Sequence, residues 1–339
     1  MRNISIAEIR IWLDNLSCKD SSLHRAAISK LWSLSPSNSD AVSLLVDYMR
    51  TVRPRYRGLM SRFIGLIGPA AAIAIPDLMS LLRAESEDRH AVLISIGDIG
   101  VSELPIADEL SVWLLSDDPS DRVHAAYALL RLEPQRIERL QVLRAARLDP
   151  NFVVRSWAAE HAVKLIAFHD EAMDIAFEFL DDPDEETVEC TSRGLAKYEP
   201  AIIIPKLLQK LPNTAGEKRF GILFALSEFG LNANSWKSDV ATAMLNANVF
   251  ADPSDDVRRV ATQVVKHLLI DHPVVIAEVR RLTFDPDEWI VEQASLAIAA
   301  INGEERPQVS SDRNVTEFVP KEIRDQLDGD EDGESSNSA

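Results

Sequence analysis

Apolar residues recur at helical spacing along most of the chain, and short polar turns interrupt them at regular intervals. In "ADPSDDVRRVATQVVKHLL", Val257, Val260, Ala261 and Val264 lie three or four positions apart and share one helix face. Another amphipathic segment comes before each turn, as in "IADELSVWLL" or "VVIAEVRRLT". The pattern therefore predicts pairs of helices, each pair joined by a short turn.

Five of the turns contain Asp-Pro followed by a helical pattern. Their prolines are separated by 31, 33, 70 and 33 residues, and they are Pro119, Pro150, Pro183, Pro253 and Pro286. The separation of 70 fits two periods with one degenerate copy between them. The sequence thus contains an internal repeat of about 33 residues.

Nine copies of the repeat can be placed from an anchor position near the start of each second helix. The anchors are 31 to 39 residues apart, and they are Leu23, Tyr56, Asp88, Val123, Val154, Thr187, Lys218, Val257 and Ile290. Such units bury their apolar faces only by stacking. A strand interpretation is weak, because Pro205 would interrupt the run "AIIIPKLL" in a central strand. We predict an all-α fold, a right-handed α-solenoid of about nine helix pairs over residues 1–302.

The turn aspartates are expected to begin the second helices. An Asp side chain can cap a helix whose first residue is the following Pro. In the two "DPDE" turns, Asp182 and Asp285 are therefore expected to be the caps. Glu185 and Glu288 would then reach back toward them, as in a capping box.

At these residues the chain resembles the HEAT-repeat family, in particular the bacterial HEAT-like repeats of the phycobilin-lyase type. The resemblance covers roughly residues 5–302 as an architecture. It implies that a turn Asp and an Arg six residues later pair in ladders along the stack. Asp149 with Arg155, and Asp252 with Arg258, match both positions. Tetratricopeptide repeats have a similar period, but their signature residues are not evident.

Other copies depart from this family pattern. The residues six positions after Asp118, Asp182 and Asp285 are not arginines, and they are His124, Val188 and Val291. We expect the ladder to be interrupted at these copies. The Arg position is filled without its Asp in three further copies, by Arg57, Arg89 and Arg219.

The composition places the protein in a broad class. The formal charge is −18, and 46% of the residues are apolar. The two cysteines, Cys18 and Cys190, are far apart, which fits a reducing compartment. No signal peptide and no membrane-spanning run are evident, so we expect a cytoplasmic protein without membrane contact. The acidic balance argues against nucleic acid as a partner.

The C-terminal segment differs in kind from the repeats. Residues 303–339 hold eleven acidic and four basic residues, a charge of −7, and are expected to form an acidic, largely disordered tail. Within it, "FVPKEIRDQL" is expected either to cover the last repeat or to bind a partner.

One short stretch of the chain is rich in arginine. "RTVRPRYRGLMSR" holds five arginines, and no acid occurs between Asp47 and Asp77. Arg57 occupies the ladder position of the family and is assigned to the scaffold. The other four are candidate partner-binding residues for an acidic peptide or a phosphate group, and they are Arg50, Arg53, Arg55 and Arg62. The alternative is a solvated face balanced by neighbouring acids.

No motif in the sequence carries evident catalytic chemistry. Phosphate loops, paired catalytic motifs and zinc-ligand spacing are absent, and no cofactor is predicted. His161, His169 and Asp170 lie near one another but on two different predicted helices, so no metal site is assigned. Trp289, beside the Asp285 turn, is a further candidate for an exposed partner contact.

The function predicted from the sequence is a non-enzymatic scaffold for protein–protein interaction. The alternative, implied by the resemblance alone, is a bilin lyase-like or chaperone-type enzyme subunit. A third possibility, nucleic-acid binding as in HEAT-like base-excision glycosylases, requires a basic face and conflicts with the net charge.

Overall fold

A computed structural model describes residues 4–18, 20–84, 88–101, 105–216 and 218–304. Over these ranges the chain forms eighteen α-helices and no strand, which confirms the all-α prediction. In chain order the helices are α1 (Ile6–Asn15), α2 (Ser21–Leu31), α3 (Val42–Thr51), α4 (Arg57–Leu66), α5 (Ile75–Arg83), α6 (Arg89–Ile99), α7 (Ala107–Ser111), α8 (Pro119–Leu132), α9 (Leu140–Ala146), α10 (Phe152–Leu165), α11 (Asp170–Glu178), α12 (Glu185–Leu195), α13 (Pro200–Lys210), α14 (Lys218–Glu228), α15 (Lys237–Asn246), α16 (Asp255–Leu268), α17 (Pro273–Leu282) and α18 (Glu288–Ile301).

Short 3₁₀ helices connect or extend many of these α-helices. They span Pro36–Ala41, Pro54–Tyr56, Gly68–Ala74, Val112–Leu115, Ile137–Arg139, Phe179–Asp181, Leu211–Asn213, Gly230–Trp236 and Val249–Ala251. Two of them begin with proline, whose missing N–H does no harm at a helix start.

The α-helices follow one another as nine consecutive pairs in the part of the chain that the structure describes. Each anchor residue lies at the start of the second helix of its pair, which is always an even-numbered helix. The earliest anchors lie one residue before the helix, and the latest is its fifth residue. The predicted repeat register is therefore confirmed. The run "AIIIPKLL" belongs to α13 and carries Pro205 inside the helix. Handedness of the solenoid stays a prediction.

Contacts divide the chain into two units, one up to Ser95 and one from Ile96 onward. The division falls inside α6. In the second unit each even-numbered helix packs on the next, from α8 on α10 to α16 on α18, and these are the most extensive helix contacts of that unit. The predicted tail lies outside the described residues, apart from Gly303 and Glu304.

Helix α16 shows how the apolar pattern builds the stack. Val257, Val260, Ala261 and Val264 are all at most 1% exposed, as the helical spacing predicts. Full burial of one such aliphatic side chain stabilises the fold by about 1.5–3 kcal/mol. Asp256, on the opposite side, is exposed. The amphipathic face is therefore the surface that holds one repeat against its neighbours.

The two "DPDE" turns correct the predicted caps. Asp184, not Asp182, caps α12, and its side chain accepts a hydrogen bond from the backbone N–H of Thr187 at 3.0 Å. Glu185 is the first residue of α12 rather than the third, so it does not occupy the capping-box position. Asp182 instead accepts the backbone N–H of Asp184 at 2.9 Å and shapes the turn.

The last repeat has the same arrangement. Asp287 caps α18 by accepting the N–H groups of Trp289 and Ile290, and Asp285 accepts the N–H of Asp287 at 3.1 Å. Glu288 is the first residue of its helix, as Glu185 is. The Asp-before-Pro cap is found at Asp118, which caps α8.

Arginine–aspartate pairs link the turns of successive repeats. Arg155 donates from Nε and Nη2 to the carboxylate of Asp182 at 2.9 and 3.0 Å, and from Nη1 to the carbonyl oxygen of Asp149 at 2.9 Å. One guanidinium group thus holds its own turn and that of the next repeat. The planar fork of arginine suits this bidentate geometry.

The ladder continues where the sequence suggested an interruption. Arg258 donates to Asp285 at 2.9 and 3.1 Å, and Arg219, whose own repeat lacks the Asp, donates to Asp252 at 2.7 Å. Asp182 and Asp285 therefore accept from the preceding repeat. Their own repeats lack an arginine that could donate to the next turn, because valine lies six residues after each of these aspartates.

We expect the two aspartates of the repeat-6 turn to differ in their contribution to stability. Asp182→Ala should lower the free energy of unfolding by about 3 kcal/mol, because the Arg155 side chain, 10% exposed, is left buried without its carboxylate. Asp184→Ala removes only a cap and should cost about 1 kcal/mol. Urea unfolding of the two variants measures the difference, and equal losses would contradict the ladder.

Stability should also depend on pH through Asp285. Burial opposes ionisation of this carboxyl, but hydrogen bonds from Arg258 and from the N–H of Asp287 outweigh it and lower the pKa of Asp285. A depressed folded pKa contributes stability that is present above the unfolded pKa of about 3.9 and is lost as pH falls through the folded value.

Melting temperature measured between pH 6 and pH 2 tests this linkage. Wild type should lose stability below about pH 4 more steeply than Asp285→Asn, which has no carboxylate to protonate. Asp256→Asn is the matched control, because this exposed residue also pairs with an arginine, Arg259. Identical pH profiles for wild type and Asp285→Asn would contradict the prediction.

Candidate interaction surfaces

Arg50 is held by the two acids that bound the acid-free segment of the sequence. Its Nε and Nη2 donate to the carboxylate of Asp77 at 2.7 and 3.0 Å, and Nη1 donates to Asp47 at 3.1 Å. The hydrogen bond to Asp77 raises the pKa of Arg50. Its charge is therefore balanced locally, as the solvated-face alternative expected.

The arginines around α4 do not share one face. Arg62 is only 7% exposed, whereas Arg55 is exposed and lies before the helix, in the 3₁₀ turn Pro54–Tyr56. Although Arg55 and Arg62 are seven positions apart, they do not share a helix face, because Arg55 lies before the start of α4. Arg55 stacks over Tyr56, with Cζ 4.9 Å from the ring centroid. Arg53 is also exposed, so these two stay candidate contacts.

Arg57, which was assigned to the scaffold, is half-buried at the first position of α4. Its Nε is enclosed and makes no hydrogen bond within the described residues. Arg57 thus lies in the interior of the repeat rather than on the exposed surface of Arg53 and Arg55.

Charge is distributed unevenly along the chain. Residues 1–95 hold twelve basic and nine acidic residues, a formal charge of +3. Residues 96–304 hold twenty basic and thirty-five acidic residues, a formal charge of −15. The first part therefore attracts acidic partners, and the second part attracts basic ones.

Phe284 and Trp289 are exposed on the turn of the last repeat, at 88% and 68%. The carboxylate of Asp285 is directed inward to Arg258, and the preceding residue, Phe284, lies on the solvent side. Trp289 comes directly before Ile290, which is 1% exposed and forms the core face of α18. The predicted exposure of Trp289 is confirmed.

Other repeats carry different residues at these two turn positions. The residue before the turn Asp is Asp117, Asp181 or Ala251 in three other repeats, and it is Leu148 in the fifth. The residue that precedes the anchor is polar in several repeats, for example Glu186 and Asp256. The turn geometry therefore does not require Phe284 or Trp289.

His161 lies in a buried aromatic cluster. Its Nε2 is 2.9 Å from Nδ1 of His124, and both side chains are inaccessible to solvent. The ring of Tyr127 stacks on His161 with centroids 4.2 Å apart. His169, also buried, precedes α11, and Asp170 is its first residue. The structure thus assigns His161 to packing between α8 and α10.

A polar bridge covers this cluster. Tyr127 donates from its hydroxyl to Asp98 at 2.7 Å, and the ammonium of Lys164 lies 3.1 Å from the same carboxylate. Asp98 belongs to α6 and Lys164 to α10, so the ion pair crosses over α8. Burial, followed by the charge of Asp98, raises the pKa of Tyr127. The phenol therefore stays neutral.

Tyr127 fits beside α6 because residue 97 is glycine. A Cβ atom at Gly97 would collide with the Tyr127 ring. A larger residue at position 97 would displace the tyrosine and its hydrogen bond to Asp98. The hydrogen bond between Tyr127 and Asp98 therefore depends on glycine at position 97 as well as on the tyrosine.

Cys190 is held in its thiol form. It lies half-buried on α12, and burial, followed by the charges of Glu160 and Glu186, raises its pKa to about 12. The thiolate is the reactive form of cysteine. Little of this thiol is therefore ionised at neutral pH.

We expect the two thiols to react at very different rates with Ellman's reagent at pH 8. Exposed Cys18 should react fast, and Cys190 at least about tenfold more slowly, because little thiolate is present. A Cys18→Ser variant should show only the slow phase, which becomes fast in urea. Rapid reaction of the folded variant would contradict the assigned environment.

Comparisons with known proteins do not assign a family. No protein-family model and no curated protein matches the chain. Among solved structures, an engineered protein is similar over 88% of this chain and 92% of its own, at 16% identity and a TM-score of 0.33. A designed armadillo repeat protein is similar over 67% of this chain and 100% of its own, at 15% identity and a TM-score of 0.31.

Scores this low do not establish a shared fold, so the repeat architecture rests on the helices themselves. The helical-repeat part of the sequence resemblance is confirmed, and its HEAT and phycobilin-lyase detail stays a hypothesis. None of the helices in the described ranges is both long and apolar enough to cross a lipid bilayer.

Proposed function

We propose that the protein is a non-enzymatic scaffold that binds a protein partner through the turn of its last repeat. The observation that carries the proposal is the exposure of Phe284 and Trp289 at positions where no other repeat with a turn Asp carries an aromatic residue. Tryptophan dominates the binding energy of many interfaces, and phenylalanine is also enriched there. An exposed aromatic pair on a capped, ion-paired turn offers a rigid anchor for a partner.

The charges beside this turn indicate the partner's chemistry. Arg280 and Arg281 lie in the last turn of α17, four and three residues before Phe284. Arg281 is paired with Glu278, whereas Arg280 is exposed and has no ion pair among the residues that the structure describes. A partner segment with an apolar residue next to an acid fits both features. Arg53 and Arg55 are also exposed arginines, on the basic unit.

The test is affinity capture from the source cell, quantified by mass spectrometry and followed by binding measurements with the purified partner. Phe284→Ser/Trp289→Ser should weaken the partner's binding by about tenfold, the scale of a lost aromatic anchor. Leu148→Ser is the matched control, because this exposed residue holds the equivalent position before Asp149. An Arg53→Ser/Arg55→Ser variant tests the contribution of the basic unit.

The outcomes separate the candidate functions. Equal binding by wild type and by the aromatic variant would reject the turn as the contact. A bilin lyase-like or chaperone-type enzyme subunit instead predicts that the purified chain, mixed with a bilin and then freed of unbound pigment, gains visible absorbance. Gain of that absorbance, unchanged in the aromatic variant, would favour the enzyme.

A further inference from the structure

Helix α18 ends the stack in the described part of the chain, and one of its faces is open to solvent. In α12, α14 and α16 the residues five and eight positions after the anchor are inaccessible to solvent, and they are Ser192, Leu195, Leu223, Leu226, Thr262 and Val265. Each of these helices packs on the even-numbered helix that follows it. In α18 the equivalent residues are Ser295, which is exposed, and Ile298, which is partly exposed. The next repeat therefore covers this face in the earlier helices and leaves it open in α18.

The open face of α18 is mostly aliphatic. Its residues follow one another at spacings of three or four positions and therefore lie along one side of the helix. They are Val291, Ser295, Ile298 and Ile301, and we call them the end face. The three aliphatic members are partly exposed, whereas Leu268, the equivalent of Ile301 in α16, is fully buried.

The composition of α18 does not suit a helix that faces water at the end of a stack. A repeat that ends a solenoid needs a polar outer surface for solubility. Ten of the fourteen residues of α18 are apolar, and the end face has only one polar member, Ser295. The end face therefore calls for an occupant that takes the place of a further repeat.

The chain itself supplies a segment that can reach the end face. Thirty-five residues, 305–339, follow Glu304, which lies three positions after the last residue of α18. Residues 305–317 span up to about 45 Å when extended. Helix α18, with fourteen residues, is about 21 Å long. A segment that begins at residue 318 can therefore return along the whole end face.

The sequence of residues 318–327 has the pattern that the end face requires. Pro320 predicts a helix start, as Pro200 and Pro273 begin α13 and α17. Ile323 and Leu327 are four positions apart and share one side of that predicted helix. Phe318 precedes the start by two positions, where an apolar residue packs on the fourth helical residue, which is Ile323. We call Phe318, Ile323 and Leu327 the tail stripe.

Charge favours this segment over the other candidate occupants. Residues 318–327 hold two basic and two acidic residues, whereas residues 328–339 hold five acids and no base. Residues 96–304 carry a formal charge of −15, which repels the acidic end of the chain but not the neutral segment. A second copy of the chain would bring the same negative charge to the end face. The short linker also holds residues 318–327 at an effective concentration on the order of 1 mM, which a free partner rarely reaches.

We propose that residues 318–327 dock on the end face and close the solenoid as an intramolecular cap. In this arrangement the tail stripe contacts Val291, Ile298 and Ile301. The cap goes beyond the proposed partner contact and does not depend on it. Trp289 lies two positions before Val291, about 200° around the helix, and therefore stays outside the capped surface.

Cross-linking in the full chain tests where the segment lies. In a Cys18→Ser background, Ser295→Cys/Gln326→Cys places one thiol on the end face and one beside the tail stripe. Cys190 is retained, because its raised pKa keeps the thiol slow to react. Arg53→Cys/Gln326→Cys is the comparison, because the basic first unit is the other surface that attracts an acidic tail. A short bismaleimide should link the end-face pair within one chain at least about tenfold faster than the comparison pair.

Variants of the two surfaces test the contact itself. Ile323→Ser/Leu327→Ser should slow the end-face cross-link at least about tenfold. Its matched control is Lys321→Ser/Asp325→Ser, which leaves the net charge unchanged and lies on the opposite side of the predicted helix. Ile298→Ser should also slow the cross-link. Leu296→Ser is its control, because Leu296 is likewise partly exposed but lies about 200° around α18.

Hydrogen exchange gives a second readout without added cysteines. The amides of residues 295–302 should exchange about tenfold faster in Ile323→Ser/Leu327→Ser than in wild type or in Lys321→Ser/Asp325→Ser, because the last turns of α18 open more readily without the cap. Circular dichroism confirms that each variant is folded. Phe284→Ser/Trp289→Ser should leave both readouts unchanged, so loss of the partner contact and loss of the cap are distinguishable.

Three results would overturn the proposal. Equal cross-linking rates for the end-face pair and the comparison pair would mean that the segment has no preference for α18. A cross-link that joins two chains would assign the end face to a second copy. Unchanged exchange of residues 295–302 in Ile323→Ser/Leu327→Ser would mean that the tail stripe does not cover the helix.

Discussion

Burial of each second helix against the next, from α8 to α18, is the interaction on which the second unit depends. A single helix pair has an apolar face that it cannot cover by itself, so stability arises between repeats. Helix α8 shows the extreme case, because residues 123–130 are buried on all sides between α10 and the Asp98–Lys164 bridge. This constraint fixes the helix faces, whereas turns and connections remain free to vary in sequence. The candidate binding residues lie in these variable segments.

The turn aspartate contacts the preceding repeat and, by doing so, determines which neighbouring residue of the turn is exposed to solvent. In repeats 6 and 9 its carboxylate accepts the guanidinium of the preceding repeat and the backbone N–H two residues later. The same geometry places the preceding residue in solvent and leaves the capping role to a later aspartate. An aromatic residue before Asp285 is thus displayed by a turn that is already rigid. A rigid anchor loses little conformational entropy when it binds, which favours its use as a contact.

The sequence was sufficient to predict features that repeat and insufficient for those that depend on distant residues. Helical periodicity gave nine pairs and their register, and proximity to a turn indicated the exposure of Trp289. The caps could not be chosen from local pattern, because Asp182 has Glu185 at the capping-box spacing and yet Asp184 is the cap. Arg155, twenty-seven residues before Asp182, decides between them. The burial of Arg62 likewise depends on where α4 begins, which the arginine spacing does not reveal.

The charge distribution accounts for how exposed apolar residues persist in this chain. Like charges over residues 96–304 oppose self-association, so Phe284 and Trp289 can face solvent without bringing copies together. The same field discriminates among partners, because it attracts basic segments and repels acidic ones. Arg280 beside Phe284 locally reverses that preference, and the basic first unit does so with Arg53 and Arg55. The basic first unit and the acidic second unit therefore present surfaces of opposite selectivity, which the proposed scaffold would need in order to hold two different partners at once.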